Sequence, residues 1–435
     1  MKYIKRIADK ILDEKAESFG AINIVGPKGC GKTRTAKERC ASYIEFQDED
    51  KRDGYMAVAG TAPSLLLRDK KPILFDEWQD APKIWGAIRK ACDDNPEDTG
   101  CYYLTGSTSQ KVDLPHSGTG RISEVQMYPM TICETGESNC SISILEMFEN
   151  PEYVIDGISS DLELSELFYL ATRGGWPRCL ALQSENAKLQ VAKDYYHQIY
   201  TKDINTIDGN KKNPEIARLV LWSYARNIAT PAKKTKLLVD VRSNTNITEP
   251  TYDSYVEALE RLYVIRDIDA WTPQIRSKTA IRAAKKRIFI DPSIAIASLG
   301  LSYDYFYRDL DLFGHVFENM VIRDLLVYAE SVGGNVKHYR DDFGMEADAV
   351  FSLSDGRYAL IEIKTGAGAV QDAEKGLLRF LEAIRKHNEE ALRNHEHPKP
   401  VYREPDLLIV ICANLKIAYT TENGIKAIPY GCLGL

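Results

Sequence analysis

Residues 21–33 read AINIVGPKGCGKT, an apolar run that ends in G-x-x-x-x-G-K-T. Such a stretch leaves the chain few choices, because a short buried strand must hand directly into a glycine-rich loop and then a helix. Glycines at 26, 29 and 31 let the backbone curl so that its N–H groups point inward at an anion's oxygens. The helix that follows adds its positive N-terminal end to the same spot. Gly26, Pro27, Lys28, Gly29, Cys30, Gly31, Lys32 and Thr33 therefore form a candidate phosphate cradle. In it Lys32 reaches the outer phosphates of a nucleoside triphosphate and the Thr33 hydroxyl ligates magnesium. The fold this predicts is α/β, with a P-loop sheet at the start of the chain.

A hydrolysing site needs an acidic residue at the end of a neighbouring strand, and KPILFDEWQD at 71–80 supplies one. Ile73, Leu74 and Phe75 read as the buried strand, Asp76 as the residue that holds magnesium through water, and Glu77 as the base that polarises the attacking water. A third strand, CYYLTGSTSQ at 101–110, ends in Thr105 and Ser107, each either a sensor beside the γ-phosphate or a plain strand cap. The expected cofactors are ATP and Mg2+.

Past these strands the segments DEWQDAP, LTGS, GRI and MYPMTICETGES resemble the prokaryotic AAA-type ATPases that carry a C-terminal domain of unknown function. The resemblance covers nearly the whole chain. It implies an ATPase core over 1–145 and a helical lid over 146–210. It also implies an arginine near the end of the core that reaches a neighbouring subunit's nucleotide, with Arg121 in SGTGRI the candidate by position. LATRGGWPRCLAL at 170–182 resembles the G-G-x-P element of related lids, where Gly174, Gly175 and Pro177 would pack on the adenine and Arg173 or Arg178 would read phosphate charge. An interhelical turn shaped by Gly and Pro is the alternative.

At 435 residues the chain is too long for one ordinary core, so several domains are expected. A net charge of −7 argues against a protein that coats nucleic acid over its whole surface, but leaves room for a local basic footprint. The opening MKYIKRIADKILDEKAESFG reads as an amphipathic helix with Ile4, Ile7, Ile11 and Leu12 on one face rather than as a signal peptide. No apolar run approaches the ~20 residues a bilayer requires. Nine cysteines without a C-x-x-C pair read as reduced thiols in a cytoplasmic protein.

The middle of the chain, 211–300, reads as a winged-helix-like domain. Thr248 is the expected N-cap, Glu249 and Pro250 fill the first turn, and Tyr255, Leu259 and Leu262 share a face before the chain turns into a wing at Arg266-Asp267-Ile268. Such a helix either contacts DNA or serves as a lid or docking surface. Next come Arg276, Lys278, Arg282, Lys285, Lys286 and Arg287 with no acidic residue among them, which is either a phosphate-backbone footprint or a solvated loop.

Over 301–435 the order of patterns is helix 313–330, strands 335–340, 346–353 and 358–365, helix 370–387 and strand 406–413. This order resembles the restriction-endonuclease-like core of the PD-(D/E)xK nucleases. Asp348 and Glu362 on adjacent strands could converge on one magnesium with help from the Ile363 carbonyl, an all-oxygen set for a hard cation. Lys364, two residues beyond Glu362 and so on the same strand face, would orient hydroxide and neutralise phosphate charge. Glu318 on the preceding helix is a further candidate ligand. His315, His338 and HNEEALRNHEH at 387–397 lack zinc-ligand spacing, and the latter cluster reads as solvated surface.

Three functions fit these residues. One is an ATPase whose nucleotide state controls a nuclease-like domain acting on nucleic acid, DNA foremost, with a homo-oligomer possible. Another is a nucleotide-dependent switch or assembly protein whose nuclease fold does not cut. A third is a DNA-binding regulator that works through the winged helix.

Overall fold

A computed structural model of the chain describes residues 2–106, 117–207, 211–273, 284–341, 344–393 and 400–435. The sequence suggests four consecutive blocks. Internal contacts instead divide the chain into two compact units, each assembled from several segments: 1–130, 176–218 and 248–264 in the first, and 131–175, 219–247 and 265–435 in the second.

The first unit is built on a parallel sheet of five strands: β1 Ala21–Val25, β2 Ser42–Glu45, β3 Ile73–Asp76, β4 Tyr102–Thr105 and β5 Ile122–Gln126, in the order β2-β3-β4-β1-β5. Side chains alternate along each strand, so the sheet has two apolar faces and needs cover on both. Ile22, Ile24, Leu74 and Tyr103 pack with Ile11 and Leu12 of helix Ala8–Ser18 and with Ala36 of helix Lys32–Lys37. Ile73, Phe75 and Leu104 pack on the other side against Ile84, Trp85 and Ile88 of helix Lys83–Asp94. The N-terminal helix begins later than its apolar pattern suggests, at Ala8. Ile4 lies ahead of it and lines a cavity.

The second unit holds a sheet of six strands in the order β11-β12-β10-β9-β8-β7. Beyond the two-residue β6 (Ile142–Ser143), these are β7 Asn335–Arg340, β8 Glu346–Ser352, β9 Tyr358–Gly366, β10 Leu407–Asn414, β11 Tyr419–Thr420 and β12 Lys426–Pro429. β7, β8 and β9 form an antiparallel meander. The chain then crosses over through helix Val370–Arg393 so that β10 runs parallel to β9. That helix buries Val370, Ala373, Leu377, Phe380 and Ile384, an i, i+3, i+4 stripe, against the sheet. Helix Leu310–Ser331 is buried nearly all round.

The stretch 131–175 joins this unit through buried charge. Arg323 bridges Asp291 at 2.8 Å and Asp324 at 2.7 Å. The Ile132 N–H donates to Asp324 and the Gly175 N–H to Asp291. β6 also pairs with β13 (Leu433–Gly434). Cys133 and Cys140 are joined by a disulfide across a Cα separation of 5.8 Å, which corrects the all-thiol expectation at that pair. The other seven cysteines are buried and lie outside that disulfide.

Candidate functional site

In the first unit β1 delivers the chain into the loop 26–31, and Gly26, Gly29 and Gly31 take φ of 142°, 76° and 106°. Gly26 is required twice over, since a Cβ there would also run into the Met127 carbonyl. The Lys32 ammonium is buried inside its own loop and donates to the Gly26 and Pro27 carbonyls, each at 2.9 Å. Arg6 fixes the loop from outside by donating to the Cys30 carbonyl at 2.8 Å and the Tyr128 carbonyl at 2.9 Å. Lys28 pairs at 2.7 Å with Asp203, just past helix Glu185–Thr201.

The sheet register sets Asp76 of β3 beside Thr105 of β4, and β4 separates β3 from β1. The Asp76 carboxylate accepts from the Thr105 hydroxyl and, at 2.7 Å, from the Thr33 hydroxyl. Burial raises its pKa, against the pull of those two donors. Thr33 and Asp76 thus form an adjacent pair of oxygen donors at the end of the loop, a set that fits Mg2+. Glu77 follows at φ 54°, in the left-handed region, and accepts from the Gln79 side-chain amide. A Cβ at Gly106 would strike the Gln79 Oε1, so Gln79 is packed against the end of β4.

Beside the loop lies a cavity of about 320 Å³ lined by Tyr3, Ile4, Arg6, Gly31, Thr35 and Pro177 among others. Pro177 is therefore next to the loop. Arg178 is exposed on helix Pro177–Leu180, outside that lining. Arg173 is buried in the second unit and ion-paired with Glu137, which corrects its reading as a phosphate sensor. Arg121 pairs with Asp93 at 2.6 Å. Ser107 lies outside the described residues. Sequence alone does not single out Arg6, Gln79 or Asp203: the partners of Arg6 and Asp203 lie in other segments, and Gln79, though two residues from Glu77, is neutral and carries no charge pattern.

The second site lies in a cleft of about 580 Å³ in the second unit. β8 and β9 pair with Ala349 opposite Ile361, so one step further Asp348 stands opposite Glu362. There the ladder changes character, since the Asp348 carboxylate rather than a backbone carbonyl accepts the Ile363 N–H, at 2.8 Å. The Lys364 ammonium lies 3.4 Å from Asp348 and 2.5 Å from Glu362. Lys286 enters from the segment before helix Pro292–Leu299 and pairs with Glu318. It also donates to the Asp348 carbonyl at 2.9 Å and lies 3.9 Å from the Asp348 carboxylate.

Burial opposes the charged form of Asp348, but the ammoniums of Lys286 and Lys364 and the Ile363 N–H outweigh it and hold the carboxyl below its ordinary range. Burial and the neighbouring Asp348 charge push Glu362 up to about 7. Burial pushes Glu318 up to about 8, with Lys286 opposing. As arranged, these residues do not fit a divalent cation. An ammonium stands between Glu318 and Asp348, and among the described residues no group of three His, Cys, Asp or Glu side chains gathers as a metal site.

The basic run is also corrected. Lys286 and Arg287 are buried, Arg287 against Asp267, so neither is a surface contact for phosphate. Lys285 is half-exposed and pairs with Asp269 at 3.1 Å. Arg276, Lys278 and Arg282 lie outside the described residues. His338, which by its spacing gives no zinc-ligand set, is buried, with its Nε2 3.1 Å from the Ala284 carbonyl.

Residues 18–136 match the family model of an AAA domain. Residues 164–305 and 313–433 match two domains of unknown function, DUF8612 and DUF4143. The uncharacterized protein MJ1544 of Methanocaldococcus jannaschii is 22% identical over 238 residues, 51% of this chain and 49% of the relative, so the chain spans about half the length of the curated relative it matches. Among solved structures, the Walker-type ATPase paby2304 of Pyrococcus abyssi aligns with TM-score 0.39 at 13% identity, over 68% of this chain and 96% of that one. The replication initiator DnaA bound to AMPPCP and single-stranded DNA aligns with TM-score 0.27 at 15% identity, over 60% and 88%. Sheet, loop and family match together define the class of the N-terminal part: an AAA-type P-loop ATPase domain. Among the described residues no helix is long and apolar enough to cross a membrane.

Proposed function

We propose that the chain is an ATPase whose nucleotide state governs a C-terminal nuclease-like domain that acts on or binds nucleic acid, DNA foremost. Phosphates take the seat now filled by the Lys32 ammonium, and Glu77 polarises the attacking water while Gln79 steadies it. Thr33 and Asp76 hold Mg2+, which when bound neutralises phosphate charge. The cavity beside Pro177 receives the base. A neighbouring copy of the chain completes the site through Arg121. We place this work in the cytoplasm, since seven of the nine cysteines lie outside the one disulfide as buried thiols.

The observation that carries the nucleic-acid reading is the convergence of Asp348, Glu362 and Lys364 on adjacent strands, with Asp348 and Lys364 in the wall of an open cleft. A second groove of about 580 Å³ shares Thr230, Pro231 and Arg340 with that cleft and adds Lys233 and Lys236, a basic approach for a phosphodiester strand. The test is to incubate the full chain with supercoiled plasmid and with single-stranded substrates, in magnesium or manganese, with and without ATP, beside Lys32→Ala and Lys364→Ala. Cleavage should vanish in Lys364→Ala; cleavage that survives there sinks the assignment of this centre.

The position of Lys286 favours a second reading, a nucleotide-dependent switch in which the nuclease-like domain binds without cutting. ATP turnover that is lost in Lys32→Ala, with no strand cut under any condition, would select it.

A further inference from the structure

The disagreement between the carboxylates of the C-terminal centre and the lysine among them is informative. Lys286 is no loose surface side chain that happens to fold inward. Its backbone pairs with Ile268 in both directions at 3.0 Å, and Ile265 bridges Phe289 on the same ribbon. Its neighbour Arg287 is pinned by Asp267 and donates from Nε to the Ala232 carbonyl at 2.9 Å. Asn319 holds both polar groups of the Phe289 backbone, at 2.8 and 2.9 Å. The ribbon is thus fixed on either side of Lys286, and its ammonium is delivered to one place, between Glu318 and Asp348, with 7% of the side chain exposed.

A cation of unit charge in that place satisfies Glu318 and Asp348, two of the three carboxylates a divalent ion would draw on, while Lys364 pairs with the third, Glu362. An ammonium and a divalent ion cannot share so small a space, because their repulsion is strong in a buried, poorly screened setting. Metal entry therefore requires the ammonium to leave, and the ammonium leaves only if the ribbon moves or the side chain is drawn out.

We infer that Lys286 is a resident counter-cation that keeps the C-terminal centre closed to divalent metals, and that the centre takes a metal only when that ammonium is displaced. The inference rests on the nuclease-like reading only for what an opened centre would do; metal entry is read without any nucleic acid. It turns the two readings of the domain into two states of one centre, a closed state that binds and an open state competent to load a metal.

The experiment uses the full chain with ADP present. Fe2+ with ascorbate and peroxide cuts the backbone near a bound metal, and the fragments are mapped by mass spectrometry. Cuts near the P-loop serve as the internal positive control. Wild type should show no cuts around residues 346–364, whereas Lys286→Met should be cut there and should gain at least a tenfold tighter class of Mn2+ binding by calorimetry. Lys286→Gln, which keeps hydrogen-bond donors toward Glu318, provides the same readout if the methionine variant does not fold. Wild-type cuts around 346–364 overturn the proposal whatever the variants do. So do folded variants, with ATP turnover retained, that remain uncut. Because no nucleic acid is present, failure here leaves the plasmid assay to judge the nuclease-like reading separately.

Discussion

Glu77 pays for its place in backbone conformation. At φ 54° it occupies a region that costs a non-glycine residue of order 1 kcal/mol, directly after the strand that ends in Asp76. Backbone strain and side-chain chemistry make opposite demands here, so two substitutions separate them. Glu77→Gln keeps the shape and the conformational cost but removes the carboxylate proposed as the base. It should lower the kcat for ATP by roughly 10²-fold or more, while nucleotide binding changes little. Glu77→Gly removes the proposed base and relieves the strain, so it should lose turnover as severely, while glycine's larger unfolded-state entropy offsets most of that relief and stability in chemical denaturation stays within about 0.5 kcal/mol of wild type. Turnover within a few-fold of wild type in the glutamine variant would take the role of base from Glu77. A glycine variant more than about 1 kcal/mol less stable than wild type would show that the left-handed turn is held by contacts of the carboxylate itself, such as that from Gln79.

β7 shows at the scale of an element what local sequence reveals and what it conceals. The alternation in NVKHYR is legible as a strand, and the order of strands and helices over 310–414 follows from patterns of period 2 and 3.6 that neighbouring residues define among themselves. The centre built on those strands was legible in its Asp348, Glu362 and Lys364 members for the same reason. Lys286 and Arg287 were not, because the acids that neutralise them stand at 267, 318 and 348 and become neighbours only on folding. His338 on β7 belongs to that concealed set. The strand is clamped to the ribbon by the Trp271 N–H on the His338 carbonyl at 2.6 Å and the His338 N–H on the Asp269 carbonyl at 3.1 Å, while the ring meets the Ala284 carbonyl. Burial, then the Lys286 charge and more weakly Arg340, push its pKa down to about 4, against Ala284 and Asp269. A depressed pKa means that the folded state binds the proton less readily than the unfolded chain, whose histidine titrates near 6.5. The stability contributed by keeping it neutral is therefore present above about pH 6.5 and is lost as pH falls toward 4, to the extent of roughly 3 kcal/mol. Thermal unfolding of wild type and His338→Gln across that window should give curves that converge on acidification. Parallel curves would mean that His338 titrates normally and that the clamp on the ribbon is looser than its hydrogen bonds imply.

For the molecule as a whole, the question is whether the two sites act on each other, and thermodynamics makes that measurable without any assumption about how the two units are arranged. A chain with net charge −7 has no general attraction for a polyanion, so any nucleic-acid affinity must come from a local surface such as the groove with Lys233, Lys236 and Arg340. If nucleotide controls that surface, a non-hydrolysable ATP analogue at saturation will change the Kd of a labelled oligonucleotide by some factor, about fivefold or more for couplings of ordinary size. Linkage then demands that saturating oligonucleotide change the Kd of the analogue by the same factor. Both dissociation constants should be read at one salt concentration, since the oligonucleotide's rises steeply with salt. Lys32→Ala should weaken analogue binding and, at a given analogue concentration, erase the effect on the oligonucleotide. Equal factors above one support nucleotide control, and their common value is its strength. Factors of one in both directions, with both ligands bound, would mean that ATP turnover and the C-terminal centre work independently, and nucleotide control would fall even if each site did its own chemistry.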